Sequence, residues 1–93
     1  KYSLSSFKDL TFQYYFYIEA EDIPGVMASI TSIFASKNIG IESIVQKESL
    51  DKNLVPIILI TDAFLEKEHS DLSSKVLKLD SVNKIRSIRI EPS

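Results

Sequence analysis

Residues 12–34 change their hydrophobic period once, and the change is abrupt. From Phe12 to Glu21, the apolar side Phe12, Tyr14, Phe16, Ile18 and Ala20 alternates with Gln13, Tyr15, Tyr17, Glu19 and Glu21, as in a strand with one core face. Asp22-Ile23-Pro24-Gly25 then breaks the pattern, because Pro24 has no amide to donate and Gly25 tolerates dihedrals closed to other residues. From Val26 to Lys37, the apolar Val26, Met27, Ile30, Ile33 and Phe34 fall on one stripe of a helix, with Ser29, Thr31, Ser32 and Ser36 around the rest. Asn38 accepts the left-handed conformation that ends many helices and Gly40 follows, so the helix stops near Lys37 or Asn38.

The rest of the chain repeats the plan with one strand more. Ile39 to Ser49 carries Ile39, Ile41, Ile44 and Val45 among polar residues, and the alternation slips once around Ser43, as a bulge would make it do. Asp51-Lys52-Asn53 supplies turn residues. Leu54 to Thr61 is nearly all aliphatic, the composition of a strand covered on both faces, with Pro56 tolerable only near its start. Leu65, His69, Leu72, Val76 and Leu79 mark a second amphipathic helix from about Glu66, ended by Asp80-Ser81. Val82, Ile85, Ile88 and Ile90, with Lys84, Arg86 and Arg89 between them, read as a last strand whose cations form a solvated outer face.

The order βαββαβ implies an α+β fold: a ferredoxin-like sandwich, its two helices on one face of a four-stranded antiparallel sheet, because each βαβ half crosses over right-handed. The first and third strands are central in this topology. Their second face carries Tyr15 and Tyr17 with either Ile57 and Leu59 or Ile58 and Ile60, and no helix remains to cover it. Such a face is larger than a soluble monomer usually exposes. Self-association through Tyr15, Tyr17, Ile57 and Leu59 is therefore expected, as a homodimer or higher.

Composition narrows the function classes. With 93 residues the chain holds one core, and 44% hydrophobic with 26% charged residues is the balance of a folded soluble domain. Residues 1–11, with Ser3, Ser5 and Ser6 among scattered apolar residues, read as a linker or interdomain arm, and 12–93 as the domain. There is no cysteine, hence no disulfide frame or thiolate metal site. A net charge of -2 gives no field to draw a phosphate backbone, so no nucleic acid is expected. Leu54–Ile60, the longest apolar run, is too short to span a bilayer, and a soluble cytoplasmic protein with no membrane partner is expected. Lys1 in first place suits a piece of a longer polypeptide.

No residue pattern points to catalysis or a metal. His69, the one histidine, sits on the apolar stripe of the second helix and reads as structural. Glu66, Glu68 and Asp71 lie where carboxylates oppose a helix dipole and need no metal to explain them. No nucleophile turn and no glycine-rich loop followed by lysine occurs.

The segment Glu21-Asp22-Ile23-Pro24-Gly25-Val26-Met27, joining a first strand to a first helix, resembles the D-x-P-G-V/L signature of ACT domains. Ile30-Thr31-Ser32-Ile33-Phe34-Ala35 and Asn38-Ile39-Gly40-Ile41 also look like that family, and the likeness runs from Phe12 to Glu91. Ile41–Lys47, Val55–Thr61 and Leu79–Val82 most resemble the C-terminal ACT domain of bacterial homoserine dehydrogenases. In that family the enzyme interconverts aspartate semialdehyde and homoserine with NAD(P). Its dinucleotide and substrate domains precede the ACT region, so no cofactor is expected within these 93 residues, and the parent's catalytic domain is an expected partner.

The resemblance also implies an effector site for a free amino acid. It would be formed by Asp22, Ile23, Pro24, Gly25, Val26 and Met27 with Ile44 and Gln46 from the second strand of a neighbouring unit. Amides opening a helix suit a carboxylate, and Asp22 suits an ammonium or, alternatively, fixes the turn or caps the helix. Apart from the resemblance, Gln46 reads more simply as a solvated edge residue and Ile44 as core or interface than as ligand contacts. Serine-sensing relatives have histidine and asparagine where this chain has Ala20 and Gly40, and the parent pathway makes threonine the first candidate effector. A purely structural association domain, or the ACT domain of an acetolactate synthase regulatory subunit or an aspartate kinase, are the alternatives.

Overall fold

The computed structural model describes residues 9–49 and 53–90. The elements are β1 (Thr11–Glu21), α1 (Val26–Ser36), β2 (Ile41–Gln46), β3 (Leu54–Thr61), a two-residue β4 (Phe64–Leu65), a 3-10 turn (Glu66–Glu68), α2 (His69–Leu77) and β5 (Val82–Ile90). All ladders are antiparallel; the sheet runs β2-β3-β1 with β5 on the other side of β1. The ferredoxin-like arrangement is thus present, with β1 and β3 central. Of the arm expected over 1–11, residues 1–8 lie outside the described residues. Thr11 is strand rather than arm: it pairs with Leu65, and the Leu10 carbonyl accepts the Glu66 amide.

The core lies between the sheet and both helices. Tyr14, Phe16, Ile18 and Ala20 of β1 meet Val55, Ile57 and Leu59 of β3, Ile30 and Phe34 of α1, and Leu72 and Val76 of α2, all buried. Phe16 and Phe34 pack edge to face with centroids 5.6 Å apart, the arrangement that aromatic quadrupoles favour. Helix α1 ends as Asn38 promised. With Asn38 at φ 57, the Ile39 amide reaches back to the Phe34 carbonyl (3.0 Å) and the Asn38 amide to Ala35 (3.0 Å), a Schellman closure. Ile39, just past this closure, is buried in the same core as Phe34.

Two irregularities position the rest. The pairing of β2 with β3 shifts between Ile41 and Ser43, the bulge the slipped alternation predicts. On β1, the partners Tyr15↔Ile60 and Phe12↔Phe64 show that β4 continues β3 after one extra residue. Where the ladder slips, the hydroxyl of fully buried Thr61 accepts the Tyr14 amide at 3.0 Å in place of a carbonyl. Pro56 sits inside central β3, but its carbonyl takes the Lys47 amide just past the end of β2, so its ring nitrogen faces a stretch where β2 has run out.

Candidate functional site

The Asp22–Gly25 turn is held by its backbone. The Asp22 amide donates to the Asn53 carbonyl (2.6 Å), the Ile23 amide to Glu21 (3.0 Å), and the Glu21 amide to Ser81 (2.8 Å), pinning the end of β1 to the starts of β3 and β5. Gly25 is the N-cap of α1 at φ 86, a conformation that costs a residue with a Cβ about 1–2 kcal/mol. No side chain caps the helix. Asp22 is therefore not its side-chain cap. The Val26 amide makes only a long contact to Ile23 (3.4 Å), and the next two amides, Met27 and Ala28, open the helix without an intrahelical acceptor. Ile23 is 46% exposed at the tip of the turn.

On β2, Ile44 pairs with Leu59 and Gln46 with Ile57, which turns both toward the helix side of the sheet. Ile44 packs on the core; Gln46 is exposed at the same end of the sheet as the Asp22 turn. The expected effector residues thus share one end of the domain, beside the outer edge of β2, which pairs with no other strand among the described residues.

The expected self-association set needs a correction. Tyr15 and Tyr17 do lie on the open face, but Ile57 and Leu59 are fully buried against the helices. Register decides this: Tyr15 pairs with Ile60 and Tyr17 with Ile58, and directly paired residues share a face. The open face therefore carries Ile58 and Ile60, together with Val45 of β2 (43% exposed) and Ile88 of β5 (65% exposed). Arg89 departs as well. It pairs with Tyr14 on the helix side and lies over the Phe12 ring at 4.7 Å, while Lys84 and Arg86 take the open face.

A polar cluster that periodicity did not reveal lies under α2. His69 stacks on Tyr14 (4.3 Å between centroids), its Nε2 is 2.8 Å from the Ser87 hydroxyl, and the Tyr14 hydroxyl donates to Glu66. Burial pushes the His69 pKa down, opposed by the Glu66 charge; burial and then Glu66 push the Tyr14 phenol up. Glu68 and Asp71 each hold Lys37 at 2.7 Å, tying the end of α1 to α2. Those contacts raise the Lys37 pKa, Asp71 foremost, and lower that of Asp71, Lys37 foremost. The acids at α2 thus act in ion pairs and hydrogen bonds between elements. Among the described residues, no group of three metal-ligating side chains comes together.

An open cleft of about 700 Å³ lies at the other end of the sheet, between Thr11, Lys37, Asn38 and Phe64. With Gly25 and Gly40 as the sequence's two glycines, it contains no G-x-G-x-x-G dinucleotide motif. Among the described residues, no helix is long and apolar enough to cross a membrane.

A βαββαβ sheet with a left-handed glycine turn opening its first helix is the architecture of a known class of small domain. The chain belongs to the ACT domain family, whose sequence profile matches residues 14–82. It is 39% identical over 80 residues to a homoserine dehydrogenase of Pseudomonas aeruginosa, a match that covers 84% of this chain and 18% of that protein. The crystal structure of a homoserine dehydrogenase from Thiobacillus denitrificans superposes with a TM-score of 0.78 at 38% identity, over 91% of this chain and 19% of that one. The ACT domain of a GTP pyrophosphokinase of Chlorobium tepidum shares the fold alone, with a TM-score of 0.69 at 19% identity over 84% of this chain and 99% of that one. The chain spans about a fifth of the length of the dehydrogenases it matches.

Proposed function

We propose that this chain is the ACT regulatory and oligomerisation module of a cytoplasmic homoserine dehydrogenase, and that it senses an amino acid, threonine first. The observation that carries the reading is the Asp22–Gly25 turn, with open amides at the start of α1, in a chain 38–39% identical to homoserine dehydrogenases over most of its length. A free amino acid presents a carboxylate suited to the Met27 and Ala28 amides and an ammonium suited to Asp22. Gln46 and Ile44 from a second copy would close the site. NAD(P) chemistry belongs, on this reading, to other parts of the dehydrogenase.

Serine is disfavoured: where serine-sensing relatives have histidine and asparagine, Ala20 and Gly40 offer no polar side chain, and Ala20 is fully buried. Thermal melting against each proteinogenic amino acid, at concentrations where copies associate, tests the proposal. A ligand at about 100 times its dissociation constant adds roughly 2.7 kcal/mol. Threonine is expected to raise the melting temperature and Asp22→Ala to abolish the rise; a flat panel would leave the domain a purely structural one.

A further inference from the structure

We propose, building on self-association of the domain, that two copies stack open face on open face, end for end, about a dyad lying across the strands. The helices cover one side of the sheet, and two adjacent cross-strand rows make the centre of the other. One is Val45, Ile58, Tyr17 and Arg86; the next is Ser43, Ile60, Tyr15 and Ile88. The apolar patch touches all four long strands, so it is about 14 Å across between outer strand axes. A single helix, about 10–12 Å in diameter, leaves part of that width wet, whereas a second four-stranded sheet matches it.

The ends of the face favour a second copy in one orientation. Beyond the first row lie Lys47, whose amide joins Pro56, and Glu19, 3.8 Å from Lys84. Beyond the other row lie Ile90 and Gln13, whose amide nitrogen holds Glu42 at 3.1 Å. A dyad along the strands sets Lys47 of each copy over Lys84 of the other, like charge on like. A dyad across them exchanges the two ends, so Lys47 meets Glu42, Glu19 meets Gln13, Tyr17 meets Tyr15 and Ile58 meets Ile60. The middle is then mostly apolar, with Arg86 set beside Ile88 at its β5 margin, and Lys47–Glu42 pairs flank it along β2, an apolar centre with a polar rim. Stacking leaves the outer edge of β2 and the Asp22 turn free for the effector.

Sedimentation equilibrium of the 93-residue chain tests this. Wild type is expected to dimerise with concentration. Ile58→Lys should weaken the dimer about tenfold or more, with its fold checked by melting at a dilution where both proteins are monomers. Glu42→Lys and Lys47→Glu, both on exposed positions, should each weaken it about threefold, and the double exchange should restore it, since the two meet only across the dyad. A dimer indifferent to Ile58→Lys and to the exchange overturns stacking while leaving self-association through another surface. A wild type monomeric at every concentration overturns both.

Discussion

The two faces of β1 are built from the same backbone and the same run of aromatics, yet they do opposite things. Tyr14, Phe16, Ile18 and Ala20 are sealed beneath the helices, and each neighbour in sequence, Gln13, Tyr15, Tyr17 and Glu19, stands on a face that no described element covers. On the sealed face, the buried side-chain polar atoms of the described residues all have partners: Thr61 takes the Tyr14 amide, His69 meets Ser87, and Glu66 takes the Tyr14 hydroxyl. On the open face, polar pairs stand at the ends, and the middle is mostly apolar, with Ser43 and Arg86 at its margins. One face closes the fold; the other presents a surface.

The contrast is most exposed to attack at its centre. Phe16→Ala should cost roughly 3–5 kcal/mol in urea titrations, while Ile88→Ala, measured on the monomer, should stay within about 0.5 kcal/mol. Equal costs would erase the distinction between the faces. A smaller effect is expected at the slip in the ladder: Thr61→Val leaves the buried Tyr14 amide without its acceptor and should cost about 1–3 kcal/mol, and Thr61→Ser should recover most of it.

The smallest effect is a pH dependence confined to the sealed face. Burial lowers the His69 pKa, so the unfolded chain takes up a proton near pH 6.5 that the folded chain resists. That stability is fully present above about pH 6.5 and is lost as pH falls through the lower folded value. Denaturation midpoints should drop over this window in wild type and hold steadier in His69→Gln. The same drop in both proteins would remove His69 from the account.

Much of this was readable from the residues. The change of period at Asp22–Gly25 and the left-handed Asn38 both lie where local chemistry leaves few options, and the structure has the turn and the Schellman closure there. The phase of β3 was not readable, because an unbroken aliphatic run carries no alternation to say which residues face in. Pairing with Tyr15 and Tyr17, a long-range fact, puts Ile58 and Ile60 outward. Arg89 was missed for a related reason: the spacing of Ile85 and Ile88 is odd, so the two isoleucines fall on opposite faces and Arg89 returns to the inside. Of the candidate site, the turn was legible, while the open amides of α1 depend on the dihedrals of Gly25 and the absence of a capping side chain.

The hydrogen bonding of β1 on both edges has a mechanical consequence. Its eleven residues form a central strand about 35 Å long, laddered to β3 and β4 on one side and β5 on the other. Sliding it along its axis would shear both ladders at once, so it behaves as a stiff rod. The rod runs from Thr11, beside the open cleft, to the pinned turn at Asp22, so a pull applied at Leu10 is shared by both ladders and moves the sheet as one body rather than the strand alone.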